Sequence, residues 1–130
     1  MHRREAREFL LGALYQREFR DFCLEDLVDD VDPGAQREYI EKVYSGIVGH
    51  AAEIDKLIAT RTTGWRFERL SPIDKSILRL AVYELLYMPD IPPEVAINEA
   101  VELSKAFGTD QARVYVNGIL DRIWKDKGTE

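Results

Sequence analysis

The chain has 130 residues, a formal net charge of −6, 45% hydrophobic and 32% charged residues. This composition is typical of one soluble domain that buries its own core, and it excludes a disordered chain. The single cysteine, Cys23, excludes an internal disulfide, and the absence of a long apolar run or a signal-peptide pattern favours a cytoplasmic location without membrane attachment. Two histidines and one cysteine leave little material for a zinc site, so we expect no metal and no cofactor.

In the first half of the chain, apolar residues recur at helical spacing. This spacing predicts a helix over 3–19, one or two helical turns over 24–31, and a long helix over 35–60. Pro33-Gly34 breaks the chain between the second and third of these, and residues 62–64 end the third.

The second half contains sharper helix boundaries. Residues 65–70 form a short connector, and Ser71-Pro72 is a strong helix start, with a capping serine and a proline at the first position. That helix stops before Pro89, the next opens near Pro92 and ends at Gly108, and a last helix follows. We therefore predict an all-α fold, a compact bundle of about seven helices in one domain, 1–130. A break near Gly64 would divide it into two packed helical halves, about 1–63 and 64–130.

Charge alternates along the chain. Residues 1–20 carry five arginines and three glutamates, and residues 61–80 carry five basic and two acidic residues. The stretches 21–60 and 81–112 are strongly acidic. The basic stretches could form one phosphate-binding patch, and the acidic stretches could face a basic protein; a mixed solvated surface is the alternative.

Two places in the sequence could bind a nucleic acid. Arg3, Arg4 and Arg7 share one side of the first helix, and their guanidinium groups suit phosphates. The alternative is a solvated face whose arginines pair with Glu5 and Glu8.

The start of the last helix is the second place. Gln111 and Arg113 lie near a helix N-terminus that favours anions, and an exposed Tyr115 could stack on an unpaired base. Helical periodicity alone slightly favours the alternative that Tyr115 packs in the core.

Catalysis has little support in the sequence. His2, His50 and Cys23 form no recognisable catalytic pattern, and the chain lacks a P-loop and a dinucleotide-binding motif. We therefore do not expect an enzyme.

Four segments resemble the NusB family. They are RREAR at 3–7 with ALY at 13–15, WRFERLSPIDKSILRLAVYEL at 65–85, IPPEVAINEAVELSKAFG at 91–108 and YVNGILD at 115–121. The last two are long and specific, and all four occur in the family's order.

The resemblance implies a bacterial transcription antitermination factor with an all-α fold of two packed helical bundles. Such a factor pairs with the ribosomal protein NusE and binds boxA RNA in nascent ribosomal RNA transcripts. It acts indirectly on RNA polymerase together with other Nus factors, and some family members form homodimers. The resemblance implies RNA contacts at the predicted positions, which are Arg3, Arg4, Arg7, Gln111, Arg113 and Tyr115. It implies NusE contacts at Tyr15 and Asp74.

Two positions depart from the family pattern. Gly12 stands where glutamine is frequent, and Val114 stands where lysine can occur. We therefore expect weak RNA binding by the chain alone, tightened when NusE adds surface. The alternative function is a non-catalytic protein-interaction module related to the RNA-binding region of RNA methyltransferases. The end of the chain at Glu130, with no catalytic domain after it, disfavours that alternative.

Overall fold

A computed structural model of the chain describes residues 1–62 and 66–127. Within these ranges the chain forms helices and no strand, which confirms the all-α prediction. The helices are α1 (Arg3–Arg17), α2 (Leu24–Val31), α3 (Arg37–Gly49), α4 (Ala51–Ala59), α5 (Pro72–Tyr87), α6 (Pro93–Phe107) and α7 (Ala112–Lys127). Short 3₁₀ turns span Gly34–Gln36 and Phe67–Arg69. None of these helices is long and apolar enough to cross a membrane.

Local capping signals place two of the helix starts. The backbone N–H of His2 donates to Glu5 Oε1 over 3.1 Å, and the N–H of Glu5 donates back to the His2 ring, which closes a capping box on α1. At α5, Ser71 Oγ accepts from the N–H of Asp74 over 3.2 Å, with Pro72 at the first helical position, as predicted.

The predicted long helix over 35–60 is wrong in one respect, because the chain bends at His50 and forms α3 and α4 instead. His50 has φ −115° and ψ 20°, outside the helical range, although it still donates to the Gly46 carbonyl. Gly49 weakens the helix just before the bend. The His50 ring stacks on Tyr87 of α5, with centroids 4.4 Å apart, and this long-range contact holds the bend.

Helix α5 is the centre of the bundle. It packs against α1, α3 and α4 from the first half of the chain and against α6 and α7 from the second. Its residues Ile77, Leu78 and Val82 are completely buried. Gly64 lies outside the described residues, and the division into two halves remains a prediction.

Close approach of α3 to α5 depends on a glycine. A methyl group at Gly46 would overlap the ring of Tyr83, whereas one at Gly12 on the outside of α1 would meet open space. We expect Gly46→Ala to lower the free energy of unfolding by about 1–3 kcal/mol through overpacking. We expect the matched Gly12→Ala to raise it by about 1 kcal/mol through helix propensity. Urea unfolding of both variants measures this, and equal effects would contradict the packing argument.

Candidate functional site

The first predicted patch lies at the start of α1, and other helices supply its acidic partners. Arg4 donates from Nε and Nη2 to the two carboxylate oxygens of Glu99 on α6, over 3.1 and 2.9 Å. Arg3 donates from Nε to Gln36 over 2.8 Å, and its guanidinium lies 3.9 Å from the ring centroid of Tyr39. The hydrogen bonds of these two arginines therefore go to other helices and turns, and not to Glu5 and Glu8 on α1 as the solvated-face alternative expected.

Arg7 lies beneath this surface and faces inward. Its Nε donates to Glu84 of α5 over 3.0 Å, and the two side chains are 6% and 1% exposed. The Tyr39 hydroxyl donates to the same carboxylate, so the cluster joins α1, α3 and α5. Burial and the Glu84 charge raise the pKa of Tyr39, which keeps its hydroxyl protonated as the donor. A phosphate contact by Arg7 stays a prediction, because its guanidinium is engaged inside the unbound chain.

Glu99 connects the exposed and buried parts of this patch. Its carboxylate also lies 4.0 Å from Arg7 Nη1, and its side chain is 17% exposed. The hydrogen bonds from Arg4, followed by the charge of Arg7, hold the pKa of Glu99 below its usual range. The carboxylate is therefore ionised at neutral pH and offsets positive charge at the start of α1.

The second predicted patch is organised by a buried carboxylate. Asp74 on α5 accepts from the N–H of Thr109 over 3.1 Å, from the Thr109 hydroxyl over 2.6 Å and from the Tyr115 hydroxyl. Burial and the Asp74 bond raise the pKa of Tyr115. Gly108 permits this approach, since a Cβ there would lie 3.0 Å from Asp74 Oδ1.

Tyr115 is 8% exposed, so the structure follows the core alternative for the unbound chain. The ring is not presented as an open stacking surface, and its predicted role with RNA stays a prediction. Asp74, predicted to face a protein partner, is 1% exposed. Its three accepted bonds hold the start of α7 in place, and a direct partner contact by this carboxylate stays a prediction.

Gln111 and Arg113 are exposed at the start of α7, next to Val114, which is 76% exposed. A groove of about 420 Å³ opens beside Gln111. Its lining comprises Arg69, Leu70, Ser71, Asp74, Thr109, Asp110, Gln111 and Tyr115. Two of the residues predicted to contact RNA, Gln111 and Tyr115, therefore border the same groove as Asp74.

The end of α1 presents an exposed aromatic pair. Tyr15 and Phe19 meet edge to face with centroids 5.1 Å apart, and Phe19 is 64% exposed. Arg79 of α5 anchors this end of α1, because it pairs with Glu18 and holds Asp55 of α4 by two bonds of 2.8 and 3.1 Å. Sequence reasoning found Tyr15 but missed Phe19, whose position one helical turn away was the available signal.

Cys23 and His50, two of the side chains that the sequence analysis weighed for catalysis, make other contacts in the structure. Cys23 Sγ donates to Glu25 over 2.7 Å, and this bond raises the pKa of the thiol. His50 is stacked on Tyr87. Within residues 1–62 and 66–127, no group of His, Cys, Asp and Glu could hold a metal ion.

Comparisons with known proteins agree on one family. The sequence model described as the NusB family matches residues 4–125. A transcription antitermination protein NusB of Listeria monocytogenes (serotype 4a, strain HCC23) is 39% identical over 123 residues, covering 95% of this chain and 96% of the relative.

Solved structures match the whole bundle. T. maritima NusB superposes with a TM-score of 0.86 at 40% identity, covering 97% of this chain and 92% of that one. A crystal structure of the antitermination factors NusB and NusE in complex with dsRNA matches with a TM-score of 0.82 at 27% identity, covering 95% and 96%.

Proposed function

The chain belongs to the NusB family, and from that premise we propose that it is a transcription antitermination factor. It would bind boxA RNA in nascent ribosomal RNA transcripts together with NusE, and help RNA polymerase elongate with the other Nus factors. The supporting observation is the match, over 95% of this chain, to a factor solved with NusE and RNA. The proposed role is binding without catalysis, in the bacterial cytoplasm where transcription takes place.

The proposed RNA surface combines both patches. Arg3 and Arg4 would contact phosphates from the start of α1, and Gln111 and Arg113 would contact RNA from the exposed start of α7. Arginine forks and helix N-termini both favour phosphate oxygens. Arg7 and Tyr115 would support this surface from beneath in the free chain, through Glu84 and Asp74.

The proposed NusE surface is centred on the aromatic pair Tyr15 and Phe19. Exposed aromatic side chains are frequent anchors at protein interfaces. The acidic segment that follows α1, from Asp21 to Asp32, would complement a basic ribosomal protein. Asp74 would act on this partner indirectly, since it is buried.

The test is binding of a boxA RNA and a scrambled control, with and without NusE, at two salt concentrations. We expect a boxA preference that increases with NusE and affinity that falls steeply with salt, because phosphate contacts release counterions. Arg113→Ala should weaken RNA binding and reduce the salt dependence. A chain that binds NusE but shows no boxA preference would support the protein-interaction module instead.

The double variant Tyr15→Ala/Phe19→Ala tests the partner surface. We expect NusE affinity to fall at least about tenfold, because the variant removes both aromatic anchors. Val95→Ala, which trims another partly exposed apolar side chain on α6, should leave NusE affinity nearly unchanged. Titration calorimetry with NusE measures both, and equal affinities for the two variants would argue against the aromatic pair as the interface.

A further inference from the structure

Two of the three arginines at the start of α1, Arg4 and Arg7, are already paired with carboxylates in the free chain. Arg7 is paired with Glu84, and the two outer side chains, Arg4 and Glu99, form a two-bond pair. A polyanion that approaches this surface therefore meets an arginine whose donors face a carboxylate.

A carboxylate and a phosphate present similar pairs of oxygen atoms to a guanidinium fork. Glu99 accepts from both Nε and Nη2 of Arg4, which is the two-bond geometry that a phosphate would adopt. One fork edge cannot serve both ligands at once. RNA phosphate and Glu99 are therefore alternatives at this edge of Arg4.

The two glutamates that pair with these arginines, Glu84 and Glu99, differ in how easily they can give up their hydrogen bonds. Glu84 is 1% exposed and accepts from both Arg7 and Tyr39, so its withdrawal would leave buried donors without an acceptor. Glu99 is 17% exposed and its partner Arg4 is 57% exposed, so both can exchange their contact for water or for another ion. Glu84 is thus a fixed anchor, and Glu99 is a replaceable ligand.

We propose that Glu99 is an internal competitor that sets the RNA affinity of the α1 surface. In the free chain its carboxylate fills the fork of Arg4, and a bound phosphate takes its place. This inference rests on the proposed function. It would add a second reason for the weak binding that we expect of the chain alone, because a phosphate at this edge of Arg4 must first displace an ion pair.

The test compares Glu99→Gln with Glu94→Gln in boxA RNA binding, with NusE present. Both changes remove one negative charge from α6, and Glu94 is an exposed side chain with no ion pair among the described residues. We expect Glu99→Gln to tighten RNA binding about three- to tenfold at low salt, with a change below about twofold for Glu94→Gln. In an Arg4→Ala background the gain from Glu99→Gln should disappear.

A separate measurement distinguishes a change in RNA binding from a loss of folding. Thermal melts show whether Glu99→Gln stays folded at the assay temperature, and Glu99→Asp serves as a second variant. The shorter side chain keeps the charge but draws the carboxylate back from Arg4, so an intermediate gain is expected.

Each outcome has one meaning. Unchanged RNA binding by Glu99→Gln overturns the inference, because Glu99 would then not compete for Arg4. Weaker binding also overturns it, because Glu99 would then orient Arg4 for its ligand. If the unsubstituted chain shows no boxA preference but Glu99→Gln acquires RNA binding, the proposed function fails and the competitor role stands. If neither protein binds RNA, both proposals are overturned.

Discussion

Glu84→Ala is expected to lower the free energy of unfolding by about 3–5 kcal/mol, because it breaks a buried ion pair. The variant leaves the Arg7 guanidinium, whose side chain is 6% exposed, buried without its counterion. The Tyr39 hydroxyl loses its acceptor at the same time. Removing Glu84 is costly because little water reaches the Arg7 charge that remains, and Glu99, 4.0 Å from Arg7 Nη1, balances that charge only in part.

Urea unfolding monitored by circular dichroism measures this effect. Glu94→Ala, an exposed change on α6, is the control and should stay within about 0.5 kcal/mol of the unsubstituted chain. The apolar triple variant Arg7→Met/Tyr39→Phe/Glu84→Leu should recover most of the lost stability, because it removes the charges and donors together. A loss below about 1 kcal/mol in Glu84→Ala would show that water reaches Arg7 and that the cluster is not a buried anchor.

Asp74→Ala has the second largest expected effect, a loss of about 2–4 kcal/mol in the free energy of unfolding. The variant leaves the Thr109 N–H, the Thr109 hydroxyl and the Tyr115 hydroxyl without their acceptor. The buried Tyr115 hydroxyl costs about 1–3 kcal/mol when it loses its partner, and the two donors of Thr109 cost less because this residue is exposed and water can reach them. Because these bonds hold the start of α7, RNA binding should fall as well.

Two matched variants separate the contributions of this cluster. Tyr115→Phe removes a single donor and should cost only about 1 kcal/mol. Asp110→Ala removes an exposed acid from the same connection between α6 and α7 and should leave stability nearly unchanged. An Asp74→Ala variant that is fully stable but has lost NusE affinity would instead identify Asp74 as a direct partner contact.

Local signals in the sequence were sufficient for most helix boundaries. The capping serine and proline at Ser71-Pro72 and the break at Pro33-Gly34 act over a few residues, so the sequence alone shows them. The bend at His50 could not be predicted in this way, because it is held by stacking on Tyr87, a residue of another helix.

The same division applies to the candidate site. Residue types and helical spacing indicated that arginines cluster at the start of α1 and that Tyr115 lies at the start of α7. They could not show which acid each arginine meets. Arg7 and Glu84 lie 77 positions apart, and Asp74 and Tyr115 lie 41 apart.

The sequence by itself therefore determined the helical class, the helix ends set by local caps and breaks, and the NusB-family motifs. Only the tertiary structure decided that Arg7 and Tyr115 are buried with Glu84 and Asp74, while Arg4 is matched by Glu99 at the surface. The physical reason is range. Caps and turns depend on neighbouring residues, whereas the burial and pairing of a charge depend on which helices pack around it.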